Sequence, residues 1–311
     1  MNWFTDYEAE LRDVFRDAEQ MIGGFPPPLH ERGLAYLYKF HPYKEGSTKN
    51  YICYLLPFWL KELDRVNERT CRDMALAGVF VMLHFFVQDD CMDEPQTEMK
   101  QQLALASMFQ LKFLEVYRKH FEVDSPFWKY FQKYMTEWAT SVAQENNTDY
   151  FNNPVRIAHK ASPVKLSSTG ILIKSRGLQE IQRVSDRVDQ VLITLQMSDD
   201  WADWEEDLQQ QNQNANGLLT FIQYERQLMD KTQLNSNVVR TFLYVQCGLS
   251  RYAAAAANRH EILMKNDIGT PHLDDFHRYL VSGLLMDAVR IEDEKRRLLS
   301  GGFYHWMSKN A

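Results

Sequence analysis

The chain has 311 residues, 45% of them hydrophobic, with a formal charge of −7. A chain this long and this apolar buries a core without disulfide or metal staples. The acidic balance excludes a general nucleic-acid binder, which needs basic patches to meet phosphates.

From the N-terminus, "FTDYEAELRDVFRDAEQMI" repeats apolar residues at intervals of three and four and predicts an amphipathic helix. Its start, "MNWFTDYEAELRD", is acidic and unlike a secretion signal, which predicts a cytoplasmic location. "GGFPPPL" breaks the pattern. Leu34 to Phe40 and Tyr51 to Leu63 predict two helices around the turn-like "HPYKEGSTKN". Arg69 to Val87 is strongly apolar and ends at "QDDCMDEP". Its longest apolar run, Met74 to Val87, contains His84 and falls short of the roughly 20 residues a bilayer requires.

Met99 to Phe121 and Phe127 to Gln144 follow as helices, then the loop "ENNTDYFNNP". Val155 to Arg176 has helical spacing with interruptions at Pro163 and at "SSTG", Ser167 to Gly170. Leu178 to Gln209 is long and continuous, and "QQQNQNANG" is polar. Phe221 to Leu228, Asn237 to Asn266 and Leu273 to Leu299 complete the chain. Alternating strand patterns are nearly absent, which predicts one all-α domain over residues 1–311: an antiparallel helical bundle with a central apolar cavity. Cys53, Cys71, Cys91 and Cys247 form no CxxC pair, so reduced thiols are expected rather than a zinc site.

Two stretches carry unusual charge. Asp89, Asp90, Asp93 and Glu94 crowd the end of the most apolar helix. In "LQMSDDWADWEEDLQQQN", Asp199, Asp203 and Asp207 stand at i, i+4 and i+8 and share one helix face, with Glu206 beside them. Like charges at this spacing repel by a few tenths of a kcal/mol per pair on an isolated helix. Carboxylate oxygens suit Mg²⁺, which is usually held by one or two carboxylates plus substrate phosphate oxygens. Two such clusters on facing helices predict two or three Mg²⁺ around a diphosphate. A di-iron carboxylate bundle needs Glu-x-x-His pairs; the nearest form here is the lone Asp274-x-x-His277.

"DDCMDE" resembles the DDxxD/E motif of class I terpene synthases and the wider isoprenoid synthase superfamily. "DDWADWEED" resembles their second metal motif, and its DxxxDxxED form is similar to that of the bacterial large-terpene synthases. Asp199, Asp200 and Asp203 also spell DDxxD, so two registers compete in this segment. "KFHPYKEGS" is similar to a Lys-Phe-His-Gly-Gly segment of that group, with one glycine replaced. The resemblance implies the isoprenoid synthase fold, three Mg²⁺ and a polyprenyl diphosphate substrate, with metal bound by Asp89, Asp90, Asp93, Asp199, Asp203 and Asp207. Chain-elongating prenyltransferases carry a Gly-Lys-Arg-x-Arg-Pro segment and an Arg-Arg pair. The corresponding regions here read "YKFHPYKEGSTKN" and "EPQTEMKQQ", which favours cyclisation over elongation.

The resemblance also implies a diphosphate-sensing arginine before the second motif, for which Arg156 is the candidate. It implies an Arg-Tyr pair after that motif, for which Arg278 and Tyr279 are the candidates, with Arg251 and Tyr252 second. Lys160 and Lys165 flank the expected helix break, and Lys165 is a candidate substrate-binding cation. A carbocation needs a dry pocket lined by aromatic faces, and Phe80, Phe85, Trp138, Trp201 and Tyr244 are candidate liners. The tail Phe303 to Ala311 is a candidate cap. The expected activity is terpene cyclisation, a lyase reaction on an allylic diphosphate. The alternatives are a prenyltransferase that alkylates an acceptor and a non-enzymatic helical interaction protein. No nucleic acid and no stable membrane insertion are expected, and a homodimer is left open.

Overall fold

The computed structural model describes residues 2–61, 66–93, 98–144, 153–209, 216–228, 233–302 and 307. Glu94, most of the loop "ENNTDYFNNP", "QQNQNA" (residues 210–215) and most of the tail lie outside them, as does the side chain of Asp93. The predicted all-α class holds: among the described residues there is no strand. The helices form two compact units. The first comprises Met1–Glu137, Ser162–Asp186 and Ile268–Leu273; the second comprises Trp138–Ala161, Arg187–Asp267 and Asp274–Ala311.

The first unit is built around α5, Glu68–Asp93, which packs against α2 (Glu8–Gly23), α4 (Tyr51–Trp59), α6 (Met99–His120) and α9 (Lys165–Lys174). Residues 74–85 of α5 are buried without interruption, as a helix apolar on every face requires. This helix is long and apolar enough to cross a membrane, but 78% of its most apolar stretch is buried inside the protein, so here it is a core helix. His84 fits the core because its Nδ1 lies 2.8 Å from the Ala106 carbonyl of α6. Burial lowers its pKa and keeps it neutral.

Helix α2 buries Leu11, Val14, Phe15, Ala18 and Ile22, one face at helical spacing. Trp59 Nε1 donates to the Trp3 carbonyl at 2.7 Å and ties the short α1 (Asn2–Thr5) to α4. Pro57 lies inside α4. Having no N–H, it deprives the Cys53 carbonyl of its i+4 donor. That carbonyl faces Gly78 of α5, where an added Cβ would stand 2.2 Å from the oxygen.

Of the two interruptions expected here, the one at Pro163 is present and the one at "SSTG" is not. Ser162–Val164 form a 3-10 turn around Pro163, and Ser167 to Gly170 continue as α9. The small polar residues stay helical because their hydroxyls find partners close by. Ser167 and Ser168 donate to the carbonyls of Val164 and Lys165, at 3.0 and 2.9 Å, and Thr169 Oγ1 is 2.9 Å from Tyr134 Oη.

The second unit holds α8 (Val155–His159), most of α10 (Ile181–Gln209), α11 (Gly217–Glu225), α12 (Ser236–Arg240), α13 (Gly248–Lys265) and most of α14 (Pro271–Arg297). The helix expected over Asn237 to Asn266 is divided. A π turn at Thr241–Val245 leads to Cys247, whose φ of 58° is left-handed, and α13 starts after it. Arg187 of α10 is buried and gives Asp274 of α14 two hydrogen bonds, at 2.7 and 2.6 Å. It also donates to the carbonyls of Leu263 and Asn266. The lone Asp274-x-x-His277 of the sequence is therefore a structural lock.

Further along α14, His277 Nε2 lies 2.7 Å from Thr194 Oγ1, and its Nδ1 lies 3.0 Å from His260 Nδ1. Burial, then His260, Arg187 and Arg259, lower the His277 pKa to about 3. An unfolded histidine titrates near 6.5. Between those values the unfolded chain takes up a proton that native His277 refuses, so stability falls as pH falls across the window. Denaturant midpoints of wild type and His277→Gln at pH 7 and pH 4.5 test this. The wild type should lose more on acidification; equal losses would rule out His277 as the source.

Candidate active site: two acidic helix ends

In the second unit, the last three turns of α10 carry the acid stripe. Asp199 is exposed to solvent yet hemmed in by protein atoms; this desolvation, then Asp203, raise its carboxyl to about 6. Asp203 is exposed and also raised, by desolvation and then by Asp207 and Glu206. Asp207 is half-buried, and its Oδ2 accepts from Asn216 Nδ2 at 2.8 Å.

Asp200 is turned the other way. It is 2% exposed and accepts from the Gly217 backbone N–H at 2.9 Å and from Gln196 Nε2 at 3.0 Å. Tyr252 Oη stands 3.4 Å away. Burial raises the Asp200 carboxyl to about 7, against the lowering effect of these hydrogen bonds and of Lys160. The start of α11 is thus pinned to α10 by Asp200, which points to a different side of the helix from the i, i+4, i+8 stripe.

In the first unit, α5 ends in the other cluster. Asp89 is exposed and Asp90 half-buried. Asp90 Oδ2 accepts from Tyr36 Oη at 2.9 Å, from α3 (Leu29–Lys39). Burial, then Asp90, push the Tyr36 phenol far above its ordinary value, so it remains a donor. Asp93 closes the helix.

Among the described residues no three ligating groups converge into a preformed cage. The donor set still fits Mg²⁺. All its oxygens are hard, Asp199 and Asp203 are poorly solvated and mutually repelling, and Mg²⁺ does not require an all-protein cage.

The basic candidates are placed unevenly. Arg156 is half-buried and donates to Gln144 Oε1. Arg278 is exposed and pairs with Asp275 on its own helix at 2.6 Å; Tyr279 is also exposed. The contacts Arg187–Asp274, Thr194–His277 and Trp201–Asp287 (2.9 Å) show α14 running parallel to α10. Arg278 is therefore level with Thr194, below the acid stripe. Level with Trp201 is Arg290, 2.9 Å from Asp287. The sequence drew attention to the Arg-Tyr string; Arg290 has no tyrosine beside it, and only the pairing of the two helices reveals its height.

Arg251 lies 3.4 Å from Glu225 and over the Phe242 ring. Lys165 is fully buried in the first unit. Its Nζ is 2.9 Å from Glu137, which also accepts from Ser162, and it lies over the Tyr134 ring. Its charge is compensated there, leaving no cation to offer a substrate.

Of the aromatic candidates, Phe80 is fully buried against Phe109 of α6. Phe85 is just buried, beside the His84 ring. Trp138, on α7 (Phe127–Ala143), and Trp201 are half-buried, and the Trp201 N–H is held by Asp287. Tyr244 is exposed in the π turn.

No protein-family model and no curated protein sequence matches the chain. A solved structure does: it is titled geranylgeranyl pyrophosphate synthase from Lactobacillus brevis ATCC 367. It superposes with a TM-score of 0.63 at 14% identity, over 90% of this chain and 97% of that one. At that identity the likeness speaks to the fold, and the fold is the all-α one of the isoprenoid synthases.

Proposed function

We propose that this protein is a Mg²⁺-dependent enzyme that ionises an allylic polyprenyl diphosphate and cyclises the resulting carbocation to a terpene. The observation that carries the proposal is the stripe of Asp199, Asp203 and Asp207 on one face of α10: Asp199 and Asp203 are desolvated, Asp203 raises Asp199 and Asp207 raises Asp203, while Asp200, which could have shared their work, is buried for a structural purpose. The fold the chain shares with a geranylgeranyl pyrophosphate synthase supports the proposal.

In this proposal Asp199, Asp203 and Asp207 hold Mg²⁺ on α10, and Asp89, Asp90 and Asp93 hold it on α5. The metal, when bound, draws electron density from the diphosphate oxygens as the C–O bond breaks. Tyr36 keeps Asp90 oriented. Arg156 adds positive charge where the leaving group accumulates negative charge. Half-buried Trp201, its N–H given to Asp287, offers one aromatic face. Half-buried Trp138 offers a second aromatic face.

The second function, prenyl transfer to an acceptor, uses the same ionisation, and the likeness to a geranylgeranyl pyrophosphate synthase favours it. Against elongation stands the absence of the basic segment that would anchor a second diphosphate.

Two measurements test the proposal. Mg²⁺ and inorganic diphosphate together should raise the melting temperature more than either alone. Incubation with C10 to C25 prenyl diphosphates and Mg²⁺, read by product mass, should give hydrocarbon or alcohol with release of diphosphate. A product longer than its substrate would replace cyclisation by transfer. No joint stabilisation and no consumption of any prenyl diphosphate would overturn the enzyme assignment.

A further inference from the structure

Asn216 stands immediately before α11 and is 1% exposed. Its amide makes three hydrogen bonds. Oδ1 accepts from Leu219 N at 3.0 Å and caps α11. The two Nδ2 hydrogens go to the Asp200 carbonyl at 2.9 Å and to Asp207 Oδ2 at 2.8 Å. Asn235, which caps α12, is the contrast. It is exposed, its Oδ1 accepts from Asn237 N and Val238 N, and it touches no carboxylate among the described residues. Serine caps a helix about as well as asparagine. Capping alone therefore does not call for an amide at 216, whereas the simultaneous donation to Asp207 does.

Asp207 lies two residues from the end of α10, at Gln209. Helix ends fray, and a carboxylate there samples several rotamers. A donor on Oδ2 selects one of them, and a carboxylate has lone pairs enough to accept a hydrogen bond and coordinate a cation. The second Nδ2 bond ties the amide to the backbone of α10 itself, so the donor is held by the helix whose side chain it orients. Gly217 permits this closeness: a Cβ there would stand 2.6 Å from Asp200 Oδ2.

We propose that Asn216 is a positioning residue for Asp207, and that through Asp207 it sets the affinity of α10 for a divalent cation. The inference rests on the reading of α10 as a metal-binding helix.

The test is a Mg²⁺ titration at fixed inorganic diphosphate, read as melting temperature, on wild type, Asn216→Ser and Asn235→Ser. Asn216→Ser keeps a cap and loses the donor; the Mg²⁺ it needs for half-maximal stabilisation should rise about 10- to 100-fold, as when an outer partner of a ligand is removed. Asn235→Ser should titrate like wild type. In a cycle with Asp207→Asn, the two changes should fall well short of additive, because one acts through the other. A wild-type Mg²⁺ requirement in Asn216→Ser, or full additivity with Asp207→Asn, overturns the inference while leaving α10 as a metal helix. If wild type shows no joint stabilisation by Mg²⁺ and diphosphate, α10 is not a metal helix and the inference falls with it. Should Asn216→Ser not fold, Asn216→Thr retains a hydroxyl cap and takes its place.

Discussion

Asp199→Asn should cut turnover of a prenyl diphosphate by at least about 100-fold, because losing a direct ligand exceeds the 10- to 100-fold cost of losing an outer partner. The same substitution should raise the melting temperature of the metal-free protein. Crowding by protein atoms and the nearby Asp203 hold the Asp199 carboxyl at about 6, so the folded state bears an ill-solvated charge that an amide does not have. A residue kept against stability is what a functional site produces. The checks are product formation at saturating Mg²⁺ and a melting curve in EDTA. A stable variant with wild-type turnover would remove Asp199 from the site; lost turnover with a lower metal-free melting temperature would make it a folding residue instead.

Gly78→Ala carries the largest expected effect on stability. Alanine in a helix interior normally gains about 1 kcal/mol over glycine. At 78 the new methyl would lie 2.2 Å from the Cys53 carbonyl oxygen, a backbone atom that can move only with α4. Overpacking of this kind costs about 1–3 kcal/mol, occasionally more, and the upper end applies where backbone is struck. The net expectation is a loss of about 2 kcal/mol in urea unfolding. Gly283→Ala on α14 is the matched comparison, since nothing lies within 4 Å of its added Cβ. It should stabilise by up to about 1 kcal/mol. Equal effects at both positions would mean that the α4–α5 crossing has room to spare.

The two acid-bearing helices were legible because their signals are local. Apolar periodicity marks α5 and α10, and acids at i, i+4 follow from one helix repeat. The i+8 stripe also separated Asp199 from Asp200, whose contacts with Gly217 and Tyr252 come from residues far along the chain. Other features depended on those distant partners. Nothing near Cys247 signals a left-handed residue, because neither glycine nor asparagine stands there. Lys165 reads as a free cation until Glu137 is placed beside it. "SSTG" reads as a break because serine and threonine compete with helices for backbone hydrogen bonds; in α9 their hydroxyls are satisfied without breaking it. Arg278 fits a pattern of letters, but its height on α14 is set by Arg187–Asp274 and Thr194–His277.

The division of the chain into two interleaved units has a consequence for synthesis. The first unit takes its last segment from Ile268–Leu273, after nearly all of the second unit's middle segment, Arg187–Asp267, has been made. Translation at about 5–20 residues per second leaves the earlier helices of that unit on the order of ten seconds without their final piece. During that interval α5, apolar on every face, depends on α2, α4, α6 and α9 alone to cover it. All of these precede residue 187, so the nascent chain holds the cover for its most apolar helix before the acid-bearing turns of α10 leave the ribosome.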